Sequence, residues 1–171
     1  MENKSTTTLL KSKLAEDCEF DFEDFYRIKS DAENIKWSGF LNAPDKNNFR
    51  KWFSEQIKNP KREIYLVYLE NNVHAVAFFY IDYWDNYAFN VPSGVLSEFA
   101  RRGIGTWILQ EGARIAKENG YKNQFAMVSD FNIGSAKRFE KLGFMKTSEY
   151  DVRDIPLAGG LQKFYKWVRV L

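Results

Sequence analysis

Histidine and cysteine are nearly absent from this 171-residue sequence, which holds one of each, His74 and Cys18. A lone cysteine excludes an internal disulfide and any cysteine-rich zinc site, and one histidine supplies no ligand set, so no metal is expected. Charge of one sign is lacking too. The 25 Lys and Arg against 23 Asp and Glu leave a formal net charge of +2, too small to argue for nucleic acid or a membrane as the main partner. No apolar run reaches the ~18 residues of a membrane-spanning helix. The opening MENKSTTT is no signal peptide, so a cytoplasmic protein is expected.

Aromatic residues are in excess, at 17% of the chain. Large rings fill cores and also line pockets, and the clusters at 40–53 (FLNAPDKNNFRKWF) and 78–89 (FFYIDYWDNYAF) leave room for both. The length suits a single domain, residues 9–171, after a polar tail at 1–8 that is expected to be flexible.

Periodicity gives the element order. Phe22, Phe25, Ile28, Ala32 and Ile35 recur at helical spacing, and Phe49, Trp52, Phe53 and Ile57 repeat it after the stop signal Asn42-Ala43-Pro44. EIYLVYLE (63–70) and HAVAFFYIDYW (74–84) read as strands joined at Asn71-Asn72, and Asp85-Asn86 reverses the chain into YAFNVPSGVL (87–96). A helix over 103–120 puts Ile104, Ile108, Gly112, Ile115 and Ala116 on one face and stops at Gly120. Then come a short buried strand, QFAMV (124–128), and a helix from about Asn132 to Leu142 closed by Gly143. FMKTSEYDVR (144–153) and FYKWVRV (164–170) form a terminal hairpin around a turn at 156–161. A meander feeding a strand-helix-strand crossover makes an α/β fold: a mixed, mostly antiparallel sheet with helices on both faces.

The stretch VLSEFARRGIGTWIL (95–109) places two glycines where a helix begins. Each glycine in a helix interior costs about 1 kcal/mol relative to alanine, so bare backbone must have a use there. Close approach of an anion to the unpaired N–H groups and the positive end of the helix is one such use. A strand-turn-helix joint with a solvated basic turn is the other, and these residues alone leave both open.

In register, Val95, Ser97, Glu98, Phe99, Ala100, Gly103, Ile104, Gly105 and Thr106, followed by Asn132, Ser135 and EKLGF at 140–144, resemble the GNAT superfamily of acetyl-CoA-dependent N-acetyltransferases. The resemblance covers residues 20–170 or so. It implies a sheet splayed at the cofactor site and acetyl-CoA as co-substrate. The CoA pyrophosphate would rest on the backbone N–H groups of Arg101, Arg102, Gly103, Ile104, Gly105 and Thr106. The backbone at Val95 and Leu96 would pair with the pantetheine arm like an added strand, with Asn132 across from it; as plain local structure Asn132 is a helix N-cap.

Departures matter as much. Ala100 replaces the Arg or Gln usual in the family, and Phe139 stands where many members carry a tyrosine that protonates the CoA thiolate. Met127 stands where one branch carries a glutamate base. The Asn132-x-x-Ser135 pattern looks more like the RimJ and RimL ribosomal-protein acetyltransferases, which gives Ser135 the thiolate role, with Tyr83 as another candidate donor. Phe139 then lines the cofactor site without protonating anything.

The acceptor, a small-molecule amine or peptide N-terminus, would enter near WSGFLNAPDK (37–46) and meet Trp37, Phe40 and Tyr83, while Trp52 suits either a pocket wall or the core. Asp82, Asp85 and Asp130 flank turn signals, so no base is named. Direct transfer in a ternary complex is expected, in a monomer or homodimer. An acyl-CoA-binding or sensing protein without catalysis is the alternative, because the tyrosine and glutamate are missing. A nucleotide-binding protein fits poorly, since no Gly-Lys-Ser/Thr follows the glycines.

Overall fold

A computed structural model describes residues 9–171; the expected tail at 1–8 lies outside the described residues. The aromatic and β-branched runs form the central strands. Arg62–Leu69 (β2) and Ala77–Tyr83 (β3) pair antiparallel, and their connection passes through Asn71 at φ +70°, a left-handed conformation that asparagine tolerates. An unexpected edge strand, Leu10–Leu14 (β1), pairs with β2. Its sequence, LKSKL, has too few apolar residues to signal a strand, and the ladder supplied by β2 overrides that weak pattern.

The first expected helix is two. Glu19–Lys29 (α1) ends at Ser30, and Asp31 starts Ala32–Trp37 (α2) by accepting the Glu33 N–H on its carboxylate at 3.1 Å. Asp31 also takes the backbone N–H and hydroxyl of Ser97 at 3.1 and 2.5 Å, which tethers α2 beside the glycine turn. Asp45 caps Lys46–Ile57 (α3) in the same way.

The third meander strand is split into Ala88–Asn90 (β4) and Ser93–Val95 (β5), both paired with β3. Pro92 lies between them and has no N–H for a ladder, which explains the step. Helix Ile104–Glu118 (α4), strand Asn123–Ser129 (β6) and helix Ile133–Lys141 (α5) follow, then the hairpin Met145–Ile155 (β7) and Gly160–Val170 (β8). The eight-stranded sheet runs β1-β2-β3-β4-β6-β8-β7, with β5 attached to β3 alone. Only the β4–β6 pair is parallel, and it ends at Asn90↔Phe125.

Alternation along β3 builds two cores. Phe79 and Ile81 pack with Phe89, Val91 and the α4 residues Ile104, Ile108 and Ala113. Phe78 and Tyr80 pack on the other face with Phe22, Phe25, Ile28 and Phe53. Gly112 brings α4 down on the step between β4 and β5: a Cβ there would lie 2.8 Å from both Val91 methyls. No described helix is long and apolar enough to cross a membrane.

Candidate active site

Past Asn90 and Phe125 the sheet opens, and a cleft of about 480 Å³ lies where β5 and β6 diverge. Gly94 and Val95 of β5, Met127 and Val128 of β6, Gly105 and Leu109 of α4, and Ser135, Arg138 and Phe139 of α5 line it, with Asn132 at the head of α5. Asn34 and Trp37 of α2 and Arg153 of β7 also reach it.

The register turns Val95 toward this cleft. Leu96 N–H donates to Val76 C=O and Tyr80 N–H to Pro92 C=O, so residues 92, 94 and 96 face β3. Antiparallel alternation then points the N–H and C=O of Val95 the other way, into the gap. Asn34 Nδ2 donates to that carbonyl at 3.3 Å and to Ile28 C=O at 2.8 Å. At this edge of the cleft the Val95 N–H has no acceptor among the described residues, and its carbonyl keeps a second lone pair beside Asn34.

The glycine turn supplies the other feature. Arg101 and Gly103 take φ of +62° and +78°, and the first helical bond is Trp107 N–H to Gly103 C=O at 3.0 Å. The N–H groups of residues 101–106 find no acceptor among the described residues. Arg138 adds a cation here: its Nη1 lies so close to Gly105 that any Cβ would overlap it, and its Nη2 donates to Ser135 Oγ at 3.1 Å. Among the described residues no carboxylate pairs with Arg138, and burial pushes its pKa below the usual guanidinium value. An arginine stays charged even so. A half-buried cation at the positive end of a helix, without counter-charge, is an arrangement that an anion stabilises.

Of the residues expected from sequence, Trp37, Val95, Gly105, Asn132, Ser135 and Phe139 come together in the cleft. Arg101, Arg102, Gly103, Ile104 and Thr106 form the adjoining turn. Ile104 buries its side chain in the core, and the Arg102 guanidinium turns back to Glu98 C=O at 3.3 Å and the Phe99 ring. Asn132 does act as the N-cap, accepting Ser135 N–H at 3.1 Å, while also lining the cleft.

Three expectations need correction. Leu96 donates its N–H to Val76 and accepts from Phe99, and its side chain is buried, so it keeps no backbone group for a cofactor arm. Tyr83 has the same parity on β3 as Phe79 and Ile81 and packs on the α4 side against Tyr121. Its hydroxyl donates to Glu63 Oε2 and accepts from Asn119 Nδ2, both at 2.9 Å, outside the cleft. Burial and Glu63 together raise the Tyr83 pKa, which further removes it as a proton donor. Phe40 is exposed between α2 and α3, where no contact brings it to the cleft. Trp52 packs in the core, stacked on Phe49 at 5.0 Å.

Asn34, Asn90 and Arg153 carry no signal in the sequence, and from sequence alone Arg138 could meet a phosphate or simply solvent. The one available signal was the Ser135-Arg138 spacing, which puts both side chains on one helical face.

Comparison with known proteins agrees with this geometry. The profile of the "Acetyltransferase (GNAT) family" matches residues 22–144. The chain is 32% identical over 98 residues to "Putative phosphinothricin acetyltransferase YwnH" of Bacillus subtilis (strain 168), a match spanning 55% of this chain and 59% of that protein's length. Among solved structures it resembles spermidine N-acetyltransferase from Vibrio cholerae in complex with CoA and spermine, with a TM-score of 0.81 at 9% identity, over 94% of this chain and 95% of that one. It also resembles ribosomal-protein-S18-alanine N-acetyltransferase from Escherichia coli, with a TM-score of 0.70 at 16% identity, over 95% and 94% of the two chains. At such identities the structural likenesses establish the fold, and they do not single out the RimJ and RimL branch. With the family profile matched across most of its length, a splayed sheet and a glycine turn at the head of α4, the chain belongs to the acetyltransferase (GNAT) family.

Proposed function

We propose that this protein transfers an acetyl group from acetyl-CoA to a primary amine, directly, in a ternary complex in the cytoplasm, as a monomer or homodimer. The observation that carries the reading is the uncompensated Arg138 beside Gly105, set against the free N–H groups of residues 101–106. That donor set fits a pyrophosphate. Val95 N–H and C=O fit the amides of a pantetheine arm, and Asn132 lies on the α5 side of the same cleft. The phosphinothricin, spermine and alanine named for the relatives all present a primary amine, which supports that acceptor class.

The chemistry follows from the residues in the cleft. The neutral amine nitrogen forms a bond to the thioester carbon, the carbon–sulfur bond breaks, and the amine's surplus proton leaves through water. Ser135 is the proton donor to the departing thiolate: Arg138 rests on its oxygen in this structure, and once the pyrophosphate engages that guanidinium the hydroxyl is free to turn toward sulfur. Water carries the amine's proton back to that oxygen, so no charge is left on the serine. Phe139 contributes only a wall, edge-on to Phe144 with ring centroids 4.8 Å apart.

Thiol release from acetyl-CoA with phosphinothricin, spermine and an alanine-terminated peptide tests the activity. Ser135→Ala should lower kcat by about 10-fold or more with CoA affinity nearly unchanged. Full activity of that variant removes Ser135 from the mechanism. CoA binding without thiol release for any amine favours a sensing protein instead.

A further inference from the structure

A second cavity, about 1290 Å³, lies over β4, β6, β8 and β7 and meets the cofactor cleft at three residues that line both: Asn90, Met127 and Arg153. Asn90 occupies the apex of the splay, the last β4 residue paired with β6. Its neighbour Phe89 is buried in the α4 core, so alternation sends Asn90 to the opposite face, the face of its β3 partner Asp82.

The charged groups around the second cavity are largely matched within the chain. Lys166 pairs with Glu149 at 3.2 Å and Arg153 with Asp151 at 3.3 Å, while Arg169 donates to Gln124 Oε1 and Leu142 C=O. The Asn90 amide is different. It makes no hydrogen bond among the described residues, and its Oδ1 is shielded from solvent without a donor. Gln124 Nε2 is also unpartnered, but it borders only the second cavity and its other end is held by Arg169. A buried amide oxygen without a donor is unfavourable until something donates to it. The torsion that aims an asparagine amide is broad, so this oxygen can turn into the junction without backbone change.

We propose that Asn90 binds the acceptor: its amide oxygen takes an N–H from the primary amine where the two cavities meet, and the body of the acceptor lies in the second cavity. The inference rests on the reading that acetyl-CoA occupies the first. Chemistry favours an amide over a carboxylate here. A carboxylate would stabilise the ammonium form, whereas a neutral oxygen holds the amine by one N–H and leaves its lone pair free to attack. Trp84 and Phe125, edge-on with centroids 5.9 Å apart, form an aromatic wall of that cavity, which suits an amine carried on an alkyl stem.

Steady-state transfer to n-butylamine, spermine and phosphinothricin tests this, with CoA titrated calorimetrically into the same proteins. Asn90→Leu should raise the amine KM by about 10-fold or more while CoA affinity stays nearly unchanged. Asn90→Asp keeps an oxygen in place, so it should hold KM near wild type, but its carboxylate stabilises the ammonium, so kcat should fall at neutral pH and recover only as pH rises. Melting curves confirm that both variants are folded.

Unchanged KM in Asn90→Leu overturns the inference, as does a parallel loss of CoA affinity, or a wild type that binds CoA and acetylates none of the three amines. Failure of the wild type to bind CoA overturns the reading of the first cleft, and this inference with it.

Discussion

Gly105→Val should weaken CoA binding by about 100-fold or more while leaving the protein folded, because the new side chain removes two to three charge-assisted hydrogen bonds. The Cβ of residue 105 would overlap Arg138 Nη1 and come within 3.2 Å of Cζ, so the guanidinium must leave the head of α4. The valine methyls would then cover the N–H groups that Arg138 flanks. At about 1.5–3 kcal/mol for each hydrogen bond to a charged group, losing two exceeds the 2.7 kcal/mol that 100-fold represents. Stability is not at risk in the same way: Gly105 lies within α4 at ordinary negative φ, where valine is at least as good a helix former as glycine. Gly103 differs, since its φ of +78° would strain any side chain by about 1–2 kcal/mol. Calorimetric titration of CoA into wild type and Gly105→Val measures the loss. An unchanged affinity would move the phosphates away from this turn.

The largest stability effect is expected at Phe25. Its side chain is fully buried under α1 and meets Phe49 at 5.6 Å, Phe53 at 5.1 Å and Phe78 at 5.0 Å. Phe25→Ala removes the ring on which α1, α3 and β3 converge. A loss of about 3–5 kcal/mol follows from the transfer and cavity terms together. Against a typical total of about 5–15 kcal/mol that is a large fraction. The melting temperature should fall by about 6–20 °C for a domain of this size. Urea unfolding gives the free energy directly. A loss below about 1 kcal/mol would mean that the neighbouring rings collapse into the space, and that this aromatic layer is not what holds α1 and α3 to the sheet.

The sequence was most readable where one physical signal dominated. β2 and β3 carry long β-branched and aromatic runs, and α4 has a clear apolar face closed by Gly120, at φ +89°. The run from 87 to 96 reads as one strand, yet Pro92 breaks it in two, because a proline inside a strand removes a ladder hydrogen bond. The division at Ser30 and Asp31 was harder to see: Ala32 and Ile35 continue the α1 periodicity, while the Asp31 cap that separates the helices depends partly on Ser97, far along the chain.

The site divides along the same line. Residues in contiguous motifs, Val95, Gly105, Asn132 and Ser135, reach the cleft because the strand-helix-strand crossover carries both motifs to one end of the sheet. Tyr83 failed because composition does not say which face a strand residue takes, and one step of parity separates it from Asp82. Leu96 failed because Val76 had already claimed its N–H. The meeting of Arg138 with Gly105 and the orphaned oxygen of Asn90 exist only in three dimensions, and no spacing rule in the chain encodes either one.

The central claim is that the cleft between β5 and β6 holds acetyl-CoA, and thermal melting with and without acetyl-CoA tests it most directly. A ligand that binds only the folded state at 100 times its Kd stabilises by about 2.7 kcal/mol. For a domain of this length that corresponds to a rise of about 5–10 °C in Tm. The account predicts this rise with acetyl-CoA, none with NAD, and little with acetyl-CoA on the Gly105→Val protein. No shift with acetyl-CoA, an equal shift with NAD, or a full shift in the valine variant would contradict it.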